Sequence, residues 1–281
     1  FPRLSSSEAS ALLGSLLDYG INYIDTSPDY GYSEESIGRH LAHRRDEFFL
    51  ASKCGCPVEP PDVLHVNRKP HSFTRENIRA GVEQSLKRMQ TDYLDVVQFH
   101  LSPSRAVLEE NDSLAELELL QQQGKIRFIG VSGTQPELAE QIEMGVFDVF
   151  QVPYSLVERE HEELIHRAAA SGAGVVVRGG VARGVMVKDE SVIDEYPDFL
   201  QAGFRARRRL WHETEIADLL DGMTPMEFML RFTLSNPDMS TTIVGTVNPE
   251  HLKANVAVAS RGPLPEDVYT AAKQRFGPAS G

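Results

Sequence analysis

The chain has 281 residues, 41% of them hydrophobic, with 28 Lys and Arg against 41 Asp and Glu, a formal net charge of −13. That length suits a single α/β barrel domain, and the acidic balance argues against a nucleic-acid or anionic-membrane surface while leaving room for a local basic pocket. No apolar run approaches the roughly 20 residues that span a bilayer. Cys54 and Cys56 are too close in sequence for an unstrained mutual disulfide, so two free thiols in a reducing, cytoplasmic setting are expected.

In chain order, Leu4 to Tyr19 reads as a helix. Ser5 and Glu8 fit a capping box, Leu12, Leu13, Leu16 and Leu17 form an apolar face, and Gly20 ends it. Ile21 to Thr26 reads as a buried strand. Ser33 is expected to cap the next helix, with Glu34 and Glu35 in its first turn, and Phe48 to Lys53 is the next strand. Gly55 to Phe73, rich in Pro, Asn and His, reads as a long loop of the kind that carries function. Thr74 caps a helix whose Ile78, Val82, Leu86 and Met89 share one face, and the strand Leu94 to His100 follows. After a further loop comes a helix with Leu114, Leu117 and Leu120, then the strand Ile126 to Ser132.

Thr134 and Glu137 are expected to box the helix carrying Leu138 and Ile142. Phe147 to Val152 is a strand, Glu160 to Ala170 a helix and Gly174 to Arg178 a strand. Residues 185–222 break the rhythm as a charged insertion between the last two βα units, with Arg205, Arg207, Arg208, Arg209 and the only Trp, Trp211. Those arginines either reach an anionic substrate or form a solvated helix face, and the solvated face is expected. Thr224, Pro225 and Glu227 follow the N-cap, N1 and N3 preferences of a helix start. Thr241 to Gly245 is the last strand, and Asn248 with Pro249 opens the last helix of the alternation.

Strands alternating with helices imply a parallel sheet with right-handed crossovers, and strands that are apolar throughout imply burial on both faces. Seven such strands are one short of a closed eight-stranded barrel, so the first strand is expected upstream of Phe1. An open doubly wound sheet is the alternative, but the Gly-rich turn normally found after its first strand is absent. Residues 1–281 are read as one barrel domain. In a parallel barrel the chemistry sits at the carboxyl ends of the strands, which here supply Asp25, Lys53, His100, Ser132, Gln151 and Arg178.

The run Asp25-Thr26-Ser27-Pro28-Asp29-Tyr30-Gly31, with Ser33-Glu34 and Ile37-Gly38 after it, resembles the signature of the aldo-keto reductases. So do Ser52-Lys53, the run Leu94 to His100, and Gly124 to Ser132. The resemblance extends from the first helix to Asn255. It implies a (β/α)8 barrel and a catalytic tetrad of Asp25, Tyr30, Lys53 and His100 that moves hydride between a nicotinamide and a carbonyl or alcohol. Tyr30 is then the general acid. A free phenol titrates near ~10, so Lys53 is implied to bias it towards proton exchange and Asp25 to hold Lys53 charged and oriented. His100 would orient the carbonyl. Tyr23 and Tyr32 are rivals, but the family spacing of five residues after the Asp implies Tyr30 and leaves Tyr32 as a pocket-wall candidate.

For the cofactor, the resemblance implies that Ser132 and Gln151 bond the nicotinamide carboxamide. Gly133 stands where many members carry Asn. Arg178 takes the ring-stacking position that is often aromatic, and a guanidinium plane also stacks on a flat ring. Gly179, Gly180, Val181 and Arg183 would wrap the pyrophosphate. Gly245, Thr246, Asn248, His251 and Asn255 resemble the adenosine-phosphate clamp, where helix-start amides suit a phosphate. The arginines that commonly hold a 2′-phosphate are absent there, with Val247 and His251 in plausible places and Lys253 the nearby cation. NADP is therefore the expected cofactor and NAD a live alternative.

The substrate implied is a small carbonyl or alcohol compound. A catalytically quiet relative that binds cofactor as a regulator or redox sensor is the alternative, and an intact tetrad favours the enzyme. No metal is expected, because His65, His71 and the cysteine pair lack any known ligand spacing. Neither the particular substrate nor the oligomeric state is legible.

Overall fold

The computed structural model describes residues 4–58, 70–184, 186, 188–196 and 198–277. Its strands are β1 (Tyr23–Asp25), β2 (Phe49–Cys54), β3 (Leu94–Phe99), β4 (Ile126–Ser132), β5 (Val149–Pro153), β6 (Gly174–Arg178) and β7 (Thr241–Ile243), hydrogen-bonded in sequence order. The pairs β1–β2, β2–β3, β3–β4, β4–β5 and β6–β7 are all parallel. Helices stand between them, as the alternating apolar runs predict.

The chain groups into two compact units. The first comprises residues 1–151 with 171–174 and 247–249, the second residues 152–170, 175–246 and 250–281.

In the first unit, α1 (Ser6–Asp18) carries the predicted capping box, the Glu8 amide donating to Ser5 and the Ser5 amide to the Glu8 carboxylate. Gly20, at φ +82°, ends it in a conformation that favours glycine. β3 is buried along its whole length, as a strand covered on both faces must be. Helix α2 (Ser33–Leu41) crosses α3 (Arg75–Met89) at Gly38, where a Cβ would lie 2.2 Å from the Arg88 carbonyl oxygen; only glycine permits that approach. An aromatic chain of Phe73, Phe99, Phe147 and Phe150, each ring about edge-on to the next, fills the core beside β3 and β5.

Asp95 of β3 ties the opposite strand ends together. Its carboxylate accepts from Arg45, Arg127 and the Leu50 amide.

In the second unit, Val175, Val176 and Val177 of β6 are buried. Helix α11 (Pro225–Leu234) starts as predicted, with the Thr224 hydroxyl accepting from the Glu227 amide and Pro225 at the first turn. Phe232 of α11 stacks on Tyr154 and meets Tyr269 of α13 (Glu266–Arg275).

Five local expectations change. Ser33 does not cap α2: Tyr32 occupies that position, and the Ser33 hydroxyl instead accepts from Thr26. Thr134 and Glu137 form no box, because α6 (Glu137–Glu143) starts after Pro136 and Thr134 contributes only its carbonyl, to Leu138. The loop after β3 contains a short helix, α4 (Arg105–Glu110), too brief for a periodic signal, ahead of α5 (Ser113–Gln122). Helix α7 (Glu162–Ala170) starts at Glu162 rather than Glu160, and β7 ends at Ile243 rather than Gly245.

The insertion holds α8 (Glu190–Ile193), a long helix α9 (Asp198–Glu213) and α10 (Ala217–Leu220) before the Thr224 cap. One face of α9 buries Phe204 and Trp211. Arg205 pairs with Glu190 and Asp194, while Arg208 donates to the Lys188 carbonyl at 2.6 Å and lies 3.4 Å from Glu190. These pairs neutralise much of the basic cluster. Helix α12 (Pro249–Ala259) opens at Pro249 as predicted.

Candidate active site

Asp25 ends β1, and its carboxylate is the hub of the first unit. One oxygen accepts from the Lys53 ammonium at 2.7 Å; the other accepts from the side-chain amides of Gln98 at 3.0 Å and Gln151 at 2.8 Å. Lys53, near the end of β2, also donates to the Thr26 carbonyl at 2.8 Å. Both charged side chains are almost wholly removed from water, at 1% and 5% exposure. A buried ion pair is tolerable only when its remaining valences are filled, and here the two glutamines and a carbonyl fill them. Gln98 was not picked out from the sequence. Its signal was a polar residue within a fully buried apolar strand.

The loop after β1 turns back at Ser27, whose hydroxyl accepts from the Asp29 amide and whose carbonyl accepts from the Tyr30 amide. That turn sets Tyr30 at the site, half exposed, with the Lys53 ammonium 5.2 Å from the centre of its ring. The His100 ring meets Tyr30 edge-on, with centroids 6.2 Å apart. The four residues of the expected tetrad are thus brought together. Burial and the Asp25 carboxylate push the Tyr23 phenol well above the ordinary tyrosine value, which makes it a poorer acid than an unburied phenol.

His100 follows β3, its amide bonded to the Cys54 carbonyl at 3.1 Å. Burial is the main cause holding its imidazole below the ordinary histidine value, with a hydrogen bond to Asp29 opposing. The ring is therefore neutral near pH 7. Its Nδ1 lies 3.3 Å from the Cys56 sulfur, 3.3 Å from His71 Nε2 and 3.4 Å from Asp29 Oδ2. Burial also pushes the Cys56 thiol up to about 12.

Judged on spacing within one loop, His71 and the cysteine pair made no metal site. The structure sets Cys56 and His71 beside residues from two other loops, a grouping that sequence order cannot display. His65 lies outside the described residues.

Ser132 ends β4, and its hydroxyl donates to Gln151 at 3.4 Å. Gly133 follows in a crowded place, since a Cβ there would lie 2.7 Å from a Leu138 methyl and 2.9 Å from the Gln141 side-chain Oε1. Both contacts are the ends of side chains, which a larger residue at this position would have to displace.

The remaining cofactor candidates lie in the second unit, except Asn248, which falls in the first. Arg178 ends β6, and its carbonyl accepts from the Tyr154 amide. Gly179 (φ +73°), Ala182 (φ +45°) and Arg183 (φ +55°) make a left-handed turn after it. Gly180 packs on Thr233, which donates to its carbonyl at 2.7 Å, and Val181 is buried. The Arg183 guanidinium stands 5.5 Å over the Phe204 ring. Glu158 was also not picked out. Buried among Arg207, Arg178 and Arg183, it pairs with Arg207, yet burial still raises its carboxyl above the usual range. Gly245 and Thr246 follow β7, with His251 exposed and Asn255 half-buried on α12.

Parallel strands in sequence order, with ionisable groups gathered after their carboxyl ends, define an α/β-barrel enzyme. The aldo/keto reductase family model matches residues 2–274, and the chain belongs to that family of nicotinamide-dependent oxidoreductases acting on small carbonyl or alcohol compounds. An aldo-keto reductase of Bacillus halodurans in its holo form superposes with a TM-score of 0.81 at 25% identity, over 98% of this chain and 89% of that one. The glycerol dehydrogenase of Gluconobacter oxydans gives 0.77 at 26% identity, over 98% and 87%. The NADH-specific methylglyoxal reductase of Escherichia coli is 28% identical over 85% of this chain and 78% of its own length. The fold is therefore the (β/α)8 barrel of these enzymes. Among the described residues no helix is long and apolar enough to cross a membrane.

Proposed function

We propose that Tyr30 is the general acid of carbonyl reduction, and the general base in the reverse direction, supported by Lys53, Asp25 and His100. The observation that carries this is the buried Lys53–Asp25 pair, with its ammonium 5.2 Å from the Tyr30 ring and His100 edge-on to the same ring. A bound nicotinamide supplies or accepts the hydride. As the substrate oxygen gains negative charge, the half-exposed Tyr30 hydroxyl gives it a proton, and the nearby ammonium offsets the charge left on the phenolate. Asp25 keeps Lys53 in place. A neutral His100 orients the carbonyl by donating a hydrogen bond.

The donor set at Ser132 and Gln151 fits a carboxamide, which needs one donor and one acceptor. The long 3.4 Å bond between them is the one such a group would replace, while Gln151 keeps its bond to Asp25. Arg178 would face the ring, and Gly179, Gly180, Val181 and Arg183 the pyrophosphate. Gly245, Thr246, Asn248, His251 and Asn255 would take the adenosine end.

NADP is the cofactor proposed on the family default. NAD is a second reading, favoured by the lack of arginine between Val247 and Asn255 and by the NADH-specific relative. The buried free thiols of Cys54 and Cys56 suit a reducing, cytoplasmic setting.

Fluorescence titration with both cofactors, then turnover on an aldehyde panel, tests this reading. Tyr30→Phe is expected to keep cofactor binding and lose turnover by about 10²- to 10⁴-fold. A variant as fast as the parent would overturn the assignment of the acid.

A further inference from the structure

We propose that Asp29, Cys56, His71 and His100 form a binding site for a single zinc-class divalent cation, with Asp29 Oδ2, Cys56 Sγ, His71 Nε2 and His100 Nδ1 as its four ligand atoms. These atoms all lie within 4.8 Å of one another. Zinc binds nitrogen and oxygen at about 2.0–2.1 Å and sulfur at about 2.3 Å in a tetrahedron, so adjacent ligands should stand about 3.3 Å apart, or about 3.6 Å for a sulfur–nitrogen edge. The edges here are 3.1 Å from His71 to Asp29, 3.4 Å from His100 to Asp29, 3.3 Å between the two rings and 3.3 Å from Cys56 to His100. These are four of the six edges; the two from Cys56 Sγ to Asp29 and to His71 lie within 4.8 Å, so closing the figure asks the sulfur to move by up to about 1 Å.

A proton does the same work less well. His100 Nδ1 is within 3.4 Å of an oxygen, a nitrogen and a sulfur at once, and one N–H cannot be aimed at all three. A cation among the four atoms satisfies every one of them.

The scaffold around the cluster is already fixed. Asp29 is held by the Ser27 turn, and His100 through its amide to Cys54. The Asn77 side-chain amide donates both to the Cys56 carbonyl at 3.1 Å and to the Ser72 carbonyl, next to His71, at 2.7 Å. Two imidazoles, a thiolate and one carboxylate are a borderline-soft set that selects zinc or cobalt over magnesium or calcium. Thiolate and carboxylate together balance a charge of +2, so the filled site is neutral where it is buried. The neighbouring Lys53 charge is answered separately by Asp25. Metal on Nδ1 also fixes the remaining His100 proton on Nε2.

The test uses the whole chain, reduced and stripped with chelator, titrated with Co²⁺ by absorption and with Zn²⁺ by calorimetry. One equivalent of Co²⁺ is expected to give the intense visible bands of a tetrahedral site together with a thiolate charge-transfer band. Zn²⁺ should displace it, and Mg²⁺ should not. Cys56→Ser and His71→Ala should each weaken binding at least tenfold, while Cys54→Ser keeps it. Absence of a stoichiometric thiolate–cobalt spectrum in the parent would overturn the proposal, whatever the variants do. So would affinity unchanged in both ligand variants. No nicotinamide is added, so these outcomes are independent of the hydride-transfer reading.

Discussion

Removing the Lys53 ammonium while leaving Asp25 in place strands a carboxylate at 5% exposure with only two neutral amide donors, from Gln98 and Gln151. Breaking a buried pair from one side costs about 3–5 kcal/mol, a large share of a typical total of about 5–15 kcal/mol. Lys53→Met should therefore lower the unfolding free energy by about 3–5 kcal/mol. Asp25→Asn should cost a similar amount, because Lys53 then keeps only the Thr26 carbonyl and a neutral amide. The double variant carries neither charge, and Met fills much of the lysine's volume. It should be more stable than the sum of the singles predicts, with a coupling of about 2–3 kcal/mol. Equilibrium urea unfolding of the four proteins measures the cycle. Single losses below about 1 kcal/mol, or additivity within about 0.5 kcal/mol, would show that Lys53 and Asp25 are not a coupled buried pair and would refute the reasoning.

Four smaller predictions accompany it. Gly38→Ala forces a Cβ against the Arg88 carbonyl and should destabilise by about 1–3 kcal/mol in the same assay, the cost of overpacking. Gly133→Asn, which restores the side chain many relatives carry, should lower the melting temperature because Leu138 and Gln141 occupy its space; a stabilised variant would refute this. Thr224→Ala removes the cap of α11 and should cost about 1 kcal/mol in chemical denaturation.

The fourth concerns pH. Burial raises the Glu34 carboxyl above its ordinary value, against hydrogen bonds from Ser52 and Arg88. The folded state thus holds this proton more tightly than the unfolded chain does. Its contribution is fully present below the unfolded value and is lost as pH rises through the folded one. The melting temperature of the parent relative to Glu34→Gln should fall from about pH 4 upward. A flat difference would contradict it.

The strand order was legible because it is written locally, and the four residues that the family resemblance assigned to a tetrad fall together in the structure. Asp25, Lys53 and His100 each close an apolar run, and the Tyr30 spacing lies within one short loop. The buried partners were harder to read. Gln98 bonds to a carboxylate 73 residues away, and nothing in its own neighbourhood announces that. Glu158 and Arg207 meet across 49 residues, where the charge run in sequence was read as a solvated face or an anionic-substrate contact. Capping failed at Thr134 because the chain takes another turn through Pro136 before the helix starts. Gly133 was read as a lost contact, whereas the structure gives it a positive reason, the packing of Leu138 and Gln141 against it.

The hub at Asp25 draws its donors from positions 28, 73 and 126 residues further along the chain. Such distant pairings close long loops and form late. On a growing polypeptide, the Asp25 hub stays incomplete until Gln151 has been made and β5 has joined the sheet. A nascent chain shorter than that would hold Asp25 and Lys53 without their full set of partners, and the buried charge would be tolerated only once the strands had gathered around it. Assembly of the Asp25 hub thereby reports that β1, β2, β3 and β5 have gathered.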